Sequence, residues 1–150
     1  DREYLPKVEL GKAVCLKPGS EIAVLSIGAI GNTVAEAIKS LKAKDESLEA
    51  RVAHYNMRWL KPIDEEVLAT VCKQHKTIVT VEDGVIDGGL GSIVAEYIGE
   101  MTAAKNERPR LIRLGVDDQF VEHGSTKELY ELLKLDKEGI CESLLQALEQ

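Results

Sequence analysis

The stretch TIVTVEDGVIDGGLGSIVAEYI, residues 77–98, predicts a strand, a glycine-rich turn and a helix in immediate succession. Residues 77–81 form the clearest strand pattern of the chain, and apolar side chains then recur at helical spacing from Ile93 to Met101. Glycines between a strand and a helix are typical of a phosphate-binding loop. They are equally typical of an ordinary strand-to-helix connection, so the stretch indicates an α/β fold but leaves its function open.

Strand and helix patterns alternate on both sides of this stretch. Further strands are predicted at residues 13–16, 22–27, 51–55 and 109–114. The Pro-Gly turn within residues 17–20 predicts that the first two strands form an antiparallel hairpin. Helices between the other strands imply right-handed crossovers and a sheet covered on both faces. The expected fold is a doubly wound three-layer α/β/α sandwich, with a mostly parallel five-stranded sheet and one antiparallel edge strand.

Capping residues mark where the predicted helices begin. Asn32 or Thr33 is placed to cap the helix after the second strand, and Asp64 to cap the next one. Residues 125–128, Ser-Thr-Lys-Glu, form a capping box, and Asp136 can cap the final helix.

Size and charge restrict the possible functions. With 150 residues and 44% hydrophobic content, the chain is expected to form one domain at residues 13–150, preceded at 1–12 by a linker from a missing N-terminal part. A net charge of −7 argues against nucleic acid and anionic membrane surfaces as partners. No apolar run approaches the roughly 20 residues that a membrane span requires.

The cysteines indicate a reducing compartment. Cys15, Cys72 and Cys141 are odd in number and far apart, and we therefore expect free thiols in a cytoplasmic protein. Cys72 and His75 have the spacing of metal ligands, but no second pair accompanies them. No metal site is predicted.

Two glycine loops are expected at the carboxyl ends of strands, where doubly wound sheets bind ligands. The first glycine loop is residues 28–32 and the second is residues 83–92. Helix N-termini behind glycines suit a small anion. The candidate anion-binding residues are Gly89, Gly91, Ser92 and Asn32.

Other features favour a structural interpretation of the second glycine loop. Val94 occupies the third position of the G-x-G-x-x-G pattern, and no Gly-Lys-Ser/Thr follows either loop. Three acids, Glu82, Asp83 and Asp87, would repel a phosphate. We therefore expect these glycines to allow a tight turn and close packing between helix and strand.

Two further polar stretches are candidate sites. Residues 121–125, with Glu122, His123 and Ser125, suggest a catalytic cluster, but the capping box already accounts for the serine, and no catalytic residue is predicted. Residues 55–62 hold Met57, Arg58 and Trp59, which belong to residue types enriched at protein interfaces. With His123, these three are the interface candidates, the alternative being that Trp59 packs on its own domain.

Five motifs in order resemble the last domain of the transketolase superfamily, and within it the 1-deoxy-D-xylulose-5-phosphate synthase family. The family patterns are R-x-x-K-P-[LI]-D, T-x-E-[ED]-G, G-G-[FL]-G-S, L-G-x-x-D-x-[FY]-[IV]-x-H-G-S and L-D-x-x-G-I. They match residues 58–64, 80–84, 88–92, 114–125 and 135–140. The chain departs from the family in having Gly-Val-Asp where Gly-x-Pro is usual.

The resemblance implies a parent enzyme that condenses pyruvate with glyceraldehyde 3-phosphate and releases carbon dioxide, towards isoprenoid, thiamine and pyridoxal precursors. In such enzymes thiamine diphosphate and Mg²⁺ are bound by two earlier domains. This chain is therefore expected to be catalytically inactive and to bind no cofactor. Its expected partners are the remaining domains and a dimer partner.

Three alternatives remain open from the sequence. The chain could be the equivalent domain of transketolase itself, or of a 2-oxo acid dehydrogenase β subunit. It could also be an autonomous module that binds a small anion or a nucleotide.

Overall fold

Five strands and five α-helices are found in the part of the chain that the structure describes. The computed structural model describes residues 6–101, 107–117 and 124–150. The strands are β1 (Val14–Lys17), β2 (Ile22–Ser26), β3 (Val52–Asn56), β4 (Thr77–Val85) and β5 (Arg110–Val116). The helices are α1 (Ile30–Ser40), α2 (Glu65–Gln74), α3 (Leu90–Glu100), α4 (Thr126–Leu132) and α5 (Lys137–Leu148). No helix in these described ranges has both the length and the apolar character needed to cross a membrane.

The strands form one sheet in the order β1-β3-β2-β4-β5. β2 is parallel to β3 and β4, and β4 is parallel to β5. β1 is the antiparallel edge strand. Helices cover both faces of this sheet, and the predicted fold class is confirmed.

β1 does not pair with β2, and the predicted hairpin is wrong. β1 pairs with β3, with Cys15 opposite Tyr55. All five residues of β2 are buried, which suits a central position between two strands, whereas β1 is half exposed and suits an edge. Gly19 makes this arrangement possible, because a Cβ there would overlap the backbone of Val52 and Ala53.

The core consists of two apolar clusters, one on each face of the sheet. The first lies between the sheet and α1 and α5, with Val34 and Leu144 at its centre. The second lies between the sheet and α2 and α3, with Leu68 and Val94. α1 and α3 therefore leave the sheet toward opposite faces.

Three predicted caps are confirmed and one is wrong. Asp64 and Asp136 accept hydrogen bonds from backbone N–H groups in the first turns of α2 and α5, and Ser125 forms the capping box of α4. α1 begins at Ile30, ahead of both Asn32 and Thr33. Ile30 is buried in the core, and its burial favours a helix that begins at this residue rather than two or three residues later.

The segment that precedes β1 is attached to the start of α2. The Ala13 N–H donates to Asp64 Oδ2 at 2.9 Å, and the Lys12 ammonium lies 2.8 Å from Glu66 Oε2. Gly11 has a φ of 70° and lies against Pro62. Residues 11–13 therefore have a fixed path across this end of the domain.

Candidate functional site

Both glycine loops lie at the edge of the sheet where ligands usually bind. β2 and β4 are parallel neighbours, with Ser26 opposite Val81. The first glycine loop follows the end of β2, and the second begins within the last three residues of β4 and continues into α3. This is the edge at which doubly wound sheets bind ligands, between helices that leave toward opposite faces.

The N-terminus of α3 is occupied by a carboxylate from the chain itself. Glu82 Oε1 accepts a hydrogen bond from the Leu90 N–H at 3.0 Å, and Oε2 accepts one from the Gly91 N–H at 2.8 Å. Glu82 is only 5% exposed. Free N–H groups and the positive end of the helix dipole stabilise a carboxylate there. Glu82 thus takes the position that a phosphate occupies in a phosphate-binding loop.

Gly89 and Gly91 are explained by this internal contact. A Cβ at Gly89 would overlap Glu82 Oε1, and a Cβ at Gly91 would lie 2.9 Å from Arg113 Cδ and 3.1 Å from Thr80 Oγ1. Only glycine allows the helix start to lie so close to the strands. The glycine pattern therefore reflects packing, which favours the structural interpretation over the anion-binding one.

The rest of the second glycine loop is also held by its own polar groups. The Ser92 hydroxyl donates to the Ile86 carbonyl at 3.0 Å and accepts from the Gly88 N–H at 3.0 Å. The Tyr130 hydroxyl lies 3.3 Å from Asp83 Oδ2. Burial, and then the charge of Asp83, raise the pKa of Tyr130. Ser92 is therefore committed to the loop.

The first glycine loop is ordered by its backbone. Gly28 has a φ of 82°, and the N–H groups of Gly31 and Asn32 donate to the carbonyls of Gly28 and Ala29 at 3.2 and 3.1 Å. Asn32 itself is exposed on α1. The structure thus groups Gly89, Gly91 and Ser92 at the start of α3, and it places Asn32 on the helix of the opposite face.

A buried polar pair beneath the first glycine loop was not identified from the sequence. Ser26 Oγ and His54 Nε2 are 2.8 Å apart, and each residue is 1% exposed. Burial lowers the pKa of His54 to about 4, so its imidazole is neutral at neutral pH. The sequence contains one indication of this pair, because Ser26 and His54 both lie in predicted strands, and these strands are neighbours in the sheet. Because the pair is closed to solvent, we assign it a packing role.

Met57 lies in the core, which corrects the expectation that it belongs to a contact surface. Its N–H donates to the Ser26 carbonyl at 2.8 Å and continues the pairing of β3 with β2 by one residue. Its side chain therefore faces the same side as Ala53 and Tyr55, in the cluster with Leu68. The residue is 0% exposed.

The arginine loop, residues 57–63, connects β3 to α2. Trp59 is half-buried, and its Nε1 donates to the Glu9 carbonyl at 3.1 Å. Arg58 is exposed and has a φ of 60°, and its N–H donates to Asn56 Oδ1 at 3.1 Å. Trp59 thus binds the segment before β1, a use that was not foreseen, and Arg58 remains a candidate for contact with a partner.

The polar stretch at residues 121–125, for which no catalytic role is predicted, is described only in part. The Glu128 N–H donates to Ser125 Oγ at 3.3 Å, and the Ser125 N–H and hydroxyl donate to Glu128 Oε2 at 2.9 and 2.8 Å. These bonds lower the pKa of the Glu128 carboxyl. Glu122 and His123 lie outside the described residues, so the interface role of His123 stays a prediction.

Cys72 and His75 are not arranged as metal ligands. Cys72 is buried, and burial raises the pKa of its thiol to about 11. Both ring nitrogens of His75 lie near carbonyl oxygens, Nδ1 at 3.1 Å from Val71 and Nε2 at 3.0 Å from Gly19. Across residues 6–101, 107–117 and 124–150, no group of three or more potential ligands could hold a metal.

Two surface cavities lie away from the candidate residues. One of about 810 Å³ lies between α2 and α3 and is lined in part by Cys72, Tyr97 and Met101. Another of about 700 Å³ is lined in part by Lys17 and Lys42. Neither includes a residue of the two glycine loops or of the arginine loop.

Comparison with known proteins assigns the domain to a family. The model of the transketolase C-terminal domain matches residues 11–140. The chain is 42% identical over 142 residues to 1-deoxy-D-xylulose-5-phosphate synthase of Phocaeicola vulgatus, covering 94% of the chain and 21% of that protein. It is 44% identical over 136 residues to the same enzyme of Bacteroides fragilis, covering 91% of the chain and 20% of that protein. The chain thus spans about a fifth of the length of these curated relatives.

Solved structures agree with this assignment. A split-gene transketolase in an inactive β4 tetramer superposes with a TM-score of 0.81 at 28% identity, over 96% of this chain and 44% of that one. A transketolase mutant from Pichia stipitis superposes with a TM-score of 0.64 at 16% identity, over 91% of this chain and 18% of that one, which shows the shared fold. The chain belongs to the transketolase C-terminal domain family.

Proposed function

We propose that the chain is the C-terminal domain of a thiamine diphosphate-dependent 1-deoxy-D-xylulose-5-phosphate synthase. The observation that carries this proposal is identity of 42 to 44% with synthases over more than nine-tenths of the chain. The match to a split-gene transketolase supports the alternative of a transketolase at only 28% identity. The synthase is therefore the preferred parent.

The parent enzyme condenses pyruvate with glyceraldehyde 3-phosphate and releases carbon dioxide. When bound, thiamine diphosphate supplies the carbanion chemistry of this reaction. The start of α3 does not fit the diphosphate of that cofactor, because Glu82 places a negative charge on the N–H groups of the helix N-terminus. We assign thiamine diphosphate and Mg²⁺ to the parts of the enzyme outside this chain.

The proposed role of the domain is to pack against the remaining domains and a dimer partner in the cytoplasm. Three observations support a role without chemistry. The Ser26–His54 pair is closed to solvent, and Ser92 is bonded within its loop. The similar split-gene chain, which contains an equivalent domain, forms an inactive tetramer. Arg58, Trp59 and His123 remain the candidates for the contact surface.

The full-length enzyme and the domain alone provide the test. With pyruvate, glyceraldehyde 3-phosphate, thiamine diphosphate and Mg²⁺, the full-length enzyme should form the five-carbon product, and purified residues 6–150 should give no turnover above the blank. Turnover by the domain would contradict its assignment as non-catalytic. A full-length enzyme that used transketolase substrates instead would replace the synthase by the alternative.

A further inference from the structure

The backbone of Arg58 is held in a conformation that L-amino acids disfavour. Its φ of 60° lies in the left-handed region, which glycine adopts more easily. Both neighbours fix this turn: Met57 is buried in the core, and the Trp59 N–H donates to the Met57 carbonyl at 2.6 Å. A strained residue that its surroundings hold in place is a frequent feature of functional sites.

The side chain of Arg58 is exposed, and within the described residues its guanidinium has no hydrogen bond or ion pair. Two other cations of the domain, Arg51 and Lys134, differ. Arg51 forms a fork with Glu21 at 2.8 and 2.9 Å. Lys134, the other non-glycine residue with positive φ in the described ranges, lies 3.4 Å from Glu142. Of these three residues, only Arg58 combines a left-handed backbone with a charge that has no partner among the described residues.

The surroundings of Arg58 indicate where its partner comes from. Trp59 binds the Glu9 carbonyl, and Gly11 lies against Pro62, so the segment that precedes β1 passes beside the arginine loop. The synthases that match this chain are about five times as long. If the proposed function holds, the polypeptide that joins this segment lies near the arginine loop.

We propose that Arg58 is a fixed docking residue whose guanidinium binds a carboxylate on the remaining polypeptide of the parent enzyme. A planar guanidinium matches the two oxygens of a carboxylate in a bidentate pair. The left-handed turn fixes the direction in which the side chain leaves the backbone before docking, which reduces the backbone entropy lost on binding. This inference rests on the proposed function, because it requires that the domain be part of a larger enzyme.

The test uses the full-length enzyme with a protease site introduced ahead of residue 6. After cleavage, the dissociation constant of the released domain is measured by sedimentation. Arg58→Gly and Arg58→Asn keep the left-handed turn accessible and remove the guanidinium, whereas Arg58→Lys keeps a charge without the fork. Lys134→Gly is the matched control, since it changes a cation with the same backbone conformation at another site.

We expect Arg58→Gly and Arg58→Asn to raise the dissociation constant by about tenfold or more, because they leave the partner carboxylate unpaired. Arg58→Lys should have an intermediate effect, and Lys134→Gly should stay within about twofold of wild type. Equal constants for Arg58→Gly and Lys134→Gly would overturn the proposal, as would complete separation of the wild-type domain at micromolar concentration.

If Arg58→Gly and Arg58→Asn raise the KM for glyceraldehyde 3-phosphate but leave the dissociation constant of the domain unchanged, Arg58 binds a substrate phosphate. That result would also overturn the proposal that it binds a carboxylate. The proposed function is judged separately, by synthase activity of the uncleaved wild-type enzyme. If the wild-type enzyme lacks synthase activity but the Arg58 variants still weaken association of the domain, the role of Arg58 is supported and the assignment of the parent as a synthase is rejected.

Discussion

The second glycine loop and the arginine loop lie at the same edge of the sheet and differ in how their polar groups are used. In the glycine loop, the helix N-terminus that would attract an anion already binds Glu82. In the arginine loop, Trp59 binds the segment before β1, and the Arg58 guanidinium has no partner within the described residues. The second glycine loop, which has the sequence pattern of a ligand site, therefore binds its own carboxylate. The arginine loop, which has no such pattern, exposes a guanidinium without a partner among the described residues.

This difference shows that a glycine pattern alone does not indicate a ligand. Glycines are needed wherever backbone approaches another group closely, and here that group is the Glu82 carboxylate. The opposite feature, a left-handed backbone at an arginine, is more informative, because glycine would adopt it with less strain. We therefore look for contact with the rest of the enzyme at the arginine loop.

The largest effect is expected from opening the glycine loop. Glu82→Ala removes two charge-assisted hydrogen bonds and leaves the N–H groups of Leu90 and Gly91 without their acceptor. We expect the free energy of unfolding of residues 6–150 to fall by about 4 kcal/mol, measured by urea unfolding. Asp87→Ala is the control, since its side chain is an exposed acid of the same loop. Equal losses for the two variants would show that Glu82 does not hold the loop.

A second effect concerns the strand that leads into the arginine loop. The pKa of His54 is about 4 in the folded domain and about 6.5 in the unfolded chain, so the unfolded state binds a proton more readily. The contribution of neutral His54 to the free energy of unfolding is therefore fully present above pH 6.5. It decreases by roughly 3 kcal/mol as the pH falls toward 4. Urea unfolding at several pH values should show this decrease, and His54→Gln should remove most of it. An unchanged pH profile in the variant would contradict a buried neutral histidine.

Trp59→Ala should have a smaller effect, confined to the arginine loop and the segment that it binds. Trp59 is half-buried and its indole N–H bonds to Glu9, so we expect a loss of about 1 kcal/mol. Hydrogen exchange of residues 6–12 should accelerate. In the full-length enzyme, association of the domain should weaken as well. A loss of 3 to 5 kcal/mol in the domain alone, the usual cost for a core aromatic, would mean that Trp59 belongs to the core.

The smallest expected effect has the opposite sign. Arg58→Gly relieves the left-handed backbone and should stabilise the domain by up to about 1 kcal/mol, observed as a higher thermal midpoint. The guanidinium contributes nothing to the described domain that would offset this gain. Destabilisation by Arg58→Gly would show that the side chain serves the domain itself and would remove the contrast between the two loops.

Local rules were enough to predict much of this structure. Residues 77–98 show the change from strand to helical spacing, and the caps at Asp64, Ser125 and Asp136 follow from the residue types at helix starts. Features that depend on distant contacts were not predicted. The partner of β1 depends on which strand becomes central, and no local pattern marks that choice.

The role of Glu82 was also beyond a local reading of the sequence. It precedes Leu90 by eight residues, and from the sequence it was interpreted only as a charge that repels phosphate. In the structure, its carboxylate occupies the position at the start of α3 that a phosphate would take in a phosphate-binding loop. The residue type of Met57 and its position in a loop with Arg58 and Trp59 predict a contact surface, whereas one further backbone hydrogen bond, to Ser26, keeps it in the core.

The most direct test of the closed glycine loop is thermal unfolding of residues 6–150 with inorganic phosphate and, separately, with thiamine diphosphate. We predict that millimolar concentrations of either leave the wild-type midpoint unchanged, because Glu82 already binds the N–H groups of Leu90 and Gly91. A ligand at 100 times its dissociation constant would contribute about 2.7 kcal/mol, which is several degrees for a domain of this size. A saturable rise of that kind in the wild-type domain would contradict the account and restore the glycine loop as an anion site.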